Sequence, residues 1–183
     1  MKIDPSNTWR KVEERLKGET EPKRRRNLET VLAHMKAEAA GDLDGLMATL
    51  TTRQVPRYRA HGTDDPILSP RGHDAVRQFY AAFVASGAVK LELDVQRLAV
   101  DEDLVITEGL MKIAYPGNLL RLMGHAVDDP DAFYLFQTPM CVIWPMDDEG
   151  KVIGEETYTG GDGFAGITER KLGPGDIAPV SAA

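Results

Sequence analysis

Just after Gly87 the hydrophobic pattern changes its period, and this change restricts the chain to folds that place helices ahead of strands. Up to that point apolar residues recur every three or four positions. Leu28, Val31, Leu32, Met35 and Ala39 form one such series, and Leu43, Leu46, Met47 and Leu50 a second. Val76, Phe79, Tyr80, Phe83 and Val84 form a third. Each series is an apolar stripe along one face of a helix. Gly41 supplies a stop after the first stripe and Asp42 a cap for the second, because glycine accepts a left-handed conformation and a short carboxylate can bond exposed helical N–H groups.

Beyond Gly87 the period is two. Val89, Leu91, Leu93 and Val95 alternate with Lys90, Glu92, Asp94 and Gln96, which describes a half-buried strand. Residues 104 to 115 and 133 to 145 give two more strands, the latter apolar on both faces. A hairpin turn over Asp147 to Gly150 returns the chain as a fourth strand at 151 to 159, and residues 119 to 132 have room for a short helix before Pro130. Residues 54 to 61 read as a weaker strand, disturbed by Pro56. Three helices followed by a meander of antiparallel strands is an α+β order.

Flanking segments differ in composition. Residues 1 to 26 hold nine Lys and Arg against five acids, so the overall charge of −7 divides into +4 here and −11 in the remainder. Within them, residues 6 to 18 suit a short polar helix with Trp9, Val12 and Leu16 on one side, and Glu19 to Arg26, containing Pro22, reads as a linker. The expected organisation is a basic N-terminal extension over 1–26, a main domain over 27–170 and a flexible tail over 171–183. The cationic run Lys23 to Arg26 reads as a surface that meets the chain's own acidic body, since that body would repel a nucleic acid. No membrane-spanning run and no secretory leader are evident, and one cysteine, Cys141, allows no internal disulfide; a reducing cytoplasm is the default. The four histidines are scattered without zinc spacing, and Gly160, Gly161, Gly163 and Gly166 lack the strand-to-helix setting of a phosphate loop. Neither metal nor nucleotide cofactor is expected.

Three segments carry a family resemblance. Ala40 to Leu46 is similar to the break between the first two helices of nuclear-transport-factor-2-like proteins. Gly72, Ala75, Val76, Arg77, Phe79 and Tyr80 resemble the start of their third helix. Asp148, Gly150, Lys151, Val152 and Tyr158 resemble their final hairpin. The fit runs over about residues 27 to 166, nearest the SnoaL-like and ketosteroid-isomerase-like branches. It implies three helices packed on a curved, mainly antiparallel sheet forming a cone around an apolar pocket, with Phe79, Phe83, Met111, Cys141, Ile143 and Thr157 lining it. It also implies a homodimer through the outer face of the sheet. A small, largely apolar organic molecule of steroid, terpenoid or polyketide size is the expected ligand.

The resemblance does not extend to the catalytic groups of two relatives. At the positions of the isomerase tyrosine, base and buried acid stand His34, Tyr58 and Cys141. At those of the epoxide-hydrolase Asp-Arg-Asp set stand Pro139, Cys141 and Thr157. The residues themselves offer His34 and Tyr58 as polar groups. Glu108 lies between Ile106 and Leu110 on one strand face, where apolar neighbours would raise its pKa and suit it as a base. Glu155 and Glu156 must face opposite ways, one to the pocket and one to solvent. Two readings stand: a cofactor-free lyase, isomerase or hydrolase using His34, Tyr58 and Glu108, or a non-catalytic binding or assembly module on the same fold.

Overall fold

The computed structural model describes residues 2–87 and 90–180. Val89, which opens the expected alternation, and residues 181–183 of the expected tail lie outside the described residues. Five strands form one curved, open sheet: β1 (Arg57–His61), β2 (Leu91–Val100), β3 (Leu104–Pro116), β4 (Phe133–Pro145) and β5 (Gly154–Thr159). Their order is β1-β5-β4-β3-β2, with β1 parallel to β5 and every other pair antiparallel. The α+β architecture is the one the change of period requires.

One face of the sheet meets the helices. Leu93, Val95, Val105, Val142 and Trp144 join Leu28, Val31, Met35, Leu46, Val76 and Tyr80 in the main core. Between Val95 and Arg97 the register of β2 slips by one residue, and this bulge returns Leu98 and Val100 to the core face. Gly109 stands opposite Val95, and a side chain there would collide with the Asp94 carbonyl, so the bend needs glycine.

Five α-helices cover that face and its edges: α1 (Asn7–Gly18), α2 (Pro22–Ala40), α3 (Leu43–Met47), α4 (His73–Ala85) and α5 (Gly117–Leu122). The segment read as a linker is instead the first turn of α2. Pro22 occupies a helical position where no N–H is needed, and the Glu21 carboxylate accepts from the N–H groups of Lys23 and Arg24 at 3.1 and 2.7 Å. The cationic run therefore lies on a helix; Arg24 pairs with Glu19 and Arg25 with Glu29 nearby, and Lys23 reaches Glu102 of the main body.

Residues 2–26 are packed into the body rather than appended to it. Val12 is fully buried and Trp9 nearly so. The Thr8 hydroxyl accepts from the Leu93 N–H at 3.1 Å, which closes the free edge of β2. Buried Glu92 accepts from the Asp4 N–H at 2.6 Å, Asn7 Nδ2 at 3.0 Å and Lys112 Nζ at 2.9 Å. The opposite end of the chain is held in the same region. Ile3 pairs with Ile177, and Leu172 is buried with Ile3, Ala114 and Leu135. Over residues 171–180 the expected flexible tail is thus anchored, because Leu172 and Ile177 have an apolar seat.

Candidate active site

His34 lies on α2 and is wholly buried against Trp144, their ring centroids 5.2 Å apart edge to face. The Thr49 hydroxyl donates to the Leu46 carbonyl at 2.6 Å, leaving its oxygen to accept from His34 Nδ1 at 2.7 Å. The imidazole proton is thereby assigned to Nδ1. His34 Nε2 then faces Glu155 Oε1 at 3.1 Å and the Tyr80 hydroxyl at 3.2 Å. Tyr80 already donates to Glu155 Oε1 at 2.5 Å. At these distances His34 Nε2, the Glu155 carboxyl and the Tyr80 hydroxyl are placed to pass a proton among them.

Tyr58 completes the group, its hydroxyl 3.4 Å from that of Tyr80. The parallel pairing of β1 with β5 puts Tyr58 beside Glu155. Burial first, and then the Glu155 charge, push both tyrosine hydroxyls well above their ordinary pKa, so both remain neutral donors at physiological pH. One turn beyond His34, the half-buried Glu38 carboxyl is pushed up to about 7 by burial and by the Glu155 charge, with His34 opposing. Glu38 and Tyr80 line a narrow crevice between α2, α3 and α4, together with Gly41, Leu43, Phe83 and Val84. A carboxyl pushed up to about 7, an imidazole beside a carboxylate and a neutral phenol, Tyr58, can together move a proton and hold a developing oxyanion. Among the described residues no group of three or more His, Cys, Asp or Glu is arranged to hold a metal ion.

The structure brings His34 and Tyr58 into one cluster, bridged by Tyr80. Glu108 is elsewhere. It projects from the face of β3 turned away from the helices and pairs with Arg97 at 2.6 Å, which lowers its pKa instead of raising it. Of the two adjacent glutamates, Glu155 faces inward, whereas Glu156 faces out and meets His61 at 2.9 Å. Among the expected pocket residues, Phe79 packs on Tyr80 at 5.3 Å and Phe83 lines the crevice. Met111 packs against the main core, and Thr157 pairs with Val142 on the inner side. Cys141 and Ile143 have the opposite parity to Val142 and Trp144 and lie on the outer face, across from Tyr158 and Glu156. Tyr80 and Glu38 do not stand out in the sequence as polar groups of a site. Tyr80 reads there as one more apolar stripe residue, and the signal for Glu38 is its spacing of one turn from His34.

A family profile for the SnoaL-like domain matches residues 31–155, a span that includes His34, Tyr58, Tyr80 and Glu155. The chain belongs to the SnoaL-like family. Among solved structures, a candidate SnoaL-like polyketide cyclase from Jannaschia sp. CCS1 is 23% identical with a TM-score of 0.57, over 78% of this chain and 90% of that one. Another from Shewanella denitrificans OS-217 is 12% identical with a TM-score of 0.62, over 78% and 96%. SalBIII, an epoxide hydrolase/cyclase-like enzyme of pyran ring formation in salinomycin, is 14% identical with a TM-score of 0.53, over 73% and 90%. At these identities the likeness is one of fold. No curated protein matches the chain in sequence.

Proposed function

We propose that this SnoaL-like protein binds a small, largely apolar organic molecule of steroid, terpenoid or polyketide size against the His34–Tyr58–Tyr80–Glu155 cluster and transforms it by cofactor-free acid–base chemistry. The observation that carries the reading is the 3.1 Å approach of His34 Nε2 to Glu155 Oε1, with the Tyr80 hydroxyl in reach of both. In this scheme the His34–Glu155 pair takes a proton from an activated carbon or a hydroxyl of the ligand. Tyr58 donates to the oxygen on which charge develops, while Tyr80 keeps its single proton on Glu155. Glu38, near neutrality, serves as the second proton carrier. Ring closure, isomerisation and elimination all fall within such chemistry. Polyketide-like ligands receive added weight from the solved relatives whose descriptions name cyclases.

The test is a screen of steroids, terpenoids and aromatic polyketides by thermal shift and protein-observed NMR, followed by mass spectrometry of each binder after incubation. Glu155→Gln keeps a donor for His34 and an acceptor for Tyr80 but cannot carry the mobile proton. Retained binding with lost conversion is the expected result. Conversion unaffected by Glu155→Gln would overturn the reading.

A non-catalytic binding module is the second reading. Its support is the closure of the cluster: no buried side-chain polar atom lacks a partner among the described residues, and His34 has no exposed surface. Binding with no turnover of any ligand would select it. In either case, we infer a homodimer through the outer sheet face. There Tyr158 is 43% exposed, and Ile106, Leu110, Cys141 and Ile143 are only half-buried.

A further inference from the structure

β1 carries arginine on both sides of Tyr58. With Tyr58 buried in the inner cluster, the alternation of a strand turns Arg57 and Arg59 together to the outer face, where both are exposed. Arg71 comes to the same place from the other side of β1, opposite Arg57 in an antiparallel bridge. The flanking bonds run from the Tyr58 N–H to the Pro70 carbonyl at 3.0 Å and from the Gly72 N–H to the Pro56 carbonyl at 2.8 Å. Arg57 and Arg71 are thus a non-hydrogen-bonded cross-strand pair, the position at which facing side chains are closest.

Like charges in that position repel. Nevertheless, Arg57, Arg59 and Arg71 make no side-chain hydrogen bond or ion pair with any described residue, although the chain as a whole is acidic and many of its other arginines are paired. The three surround a depression of about 380 Å³, lined also by Tyr58, Ser69 and Glu156. Glu156 is engaged with His61 at 2.9 Å. Three guanidinium charges against one carboxylate leave the depression with two positive charges. Arg59 continues into a second depression of about 360 Å³ along Ala60 to Asp64, which gives room for a substituent.

We propose that Arg57, Arg59 and Arg71 form a binding site for a phosphate-type dianion, either free phosphate or the phosphoryl group of a small organic molecule. A dianion neutralises the local charge and relieves the Arg57–Arg71 repulsion. A carboxylate has too few oxygens to take forked bonds from three guanidinium groups, whereas a phosphate can meet all three. The site lies on the opposite face of β1 from the His34 cluster and does not depend on the role assigned to that cluster.

The full chain is titrated with inorganic phosphate, glycerol phosphate and AMP, and in parallel with acetate and chloride at matched ionic strength. Amide shifts are followed by NMR and affinity by calorimetry. Phosphate should move the amides of residues 57–61 and 69–72 and bind at least tenfold more tightly than acetate. Arg59→Gln and Arg71→Gln, both at exposed positions, should each weaken it by about tenfold or more. Phosphate should also raise the melting temperature of the wild type but not of the double variant. Monoesters binding tenfold tighter than phosphate identify a phosphorylated molecule as the occupant, and equal binding identifies the free ion. Phosphate binding no tighter than acetate, or unchanged by both substitutions, overturns the proposal.

Discussion

Glu38 links the interior to solution pH through the sign of its shift. The unfolded carboxyl titrates near its ordinary 4.5 and the folded one near 7. Below the first value both states hold the proton and this group imposes no penalty. Between the two, the unfolded chain releases its proton while the folded chain retains it. Stability therefore falls as pH rises through this window, and the loss is complete above 7. At about 1.4 kcal/mol per unit, reduced for partial solvent screening, the penalty is on the order of 2 kcal/mol. Urea denaturation of wild type and Glu38→Gln from acid to slightly alkaline pH should show this slope in the former and its absence in the latter. Tyr80→Phe should lower stability by about 1–3 kcal/mol at any pH, because it strips a donor from the partly buried Glu155. Residue identity alone could not have assembled this cluster. The sequence offers His34, Tyr58 and a choice between Glu155 and Glu156, but only strand parity relative to Trp144 decides which carboxylate turns inward.

At the level of elements, the pairing of β1 with β5 holds the cluster together, since it sets Tyr58 beside Glu155. Gly154 opens β5 against Arg57, and a Cβ there would overlap the Arg57 backbone carbonyl, so the β1–β5 pairing would have to shift. Gly154→Ala should therefore cost about 2–4 kcal/mol and loosen Tyr58, read as lost dispersion in the aromatic NMR spectrum. α1 is a second structural commitment. Trp9→Ala should destabilise the whole chain by about 3–5 kcal/mol in a denaturant titration, whereas a helix merely tethered to the body would leave the unfolding midpoint unmoved. Long elements with a clean period, α2, α4 and the first half of β2, are legible in the sequence because one periodicity dominates each. The start of α2 is not, because Pro22 breaks helices in their interior but favours them at the first turn, and the distinction rests on Glu21 reaching back to cap. Glu108 misleads for another reason. β3 is apolar on both faces, so alternation cannot say which face the helices cover, and Glu108 turns out to share the outer one with Arg97.

Over the whole molecule, the two ends of the chain meet on the sheet, where Lys2 and Ile3 N–H groups bond the Asp176 carbonyl at 2.8 and 2.9 Å. Removing residues 2–18 would uncover the edge of β2 and the Ile3 seat together, and such a truncation should lose cooperative unfolding. The outer sheet face remains the surface on which a second copy would sit. Sedimentation should give a dimer for the wild type and a monomer for Ile143→Glu, while a monomeric wild type would remove the dimer from the account. Among the described residues no helix is long and apolar enough to cross a membrane.

The placement of β5 between β1 and β4 also sets an order in time. On the ribosome, His34, Tyr58 and Tyr80 emerge well before Glu155, so three of the four polar groups wait without the carboxylate that satisfies them. The last strand must then pair with β4 on one side and bring in β1, whose sheet neighbour it is, on the other. A nascent chain halted before Gly154 should remain open to protease and become resistant only when β5 has been released, which makes the site and the completed fold a single event of synthesis.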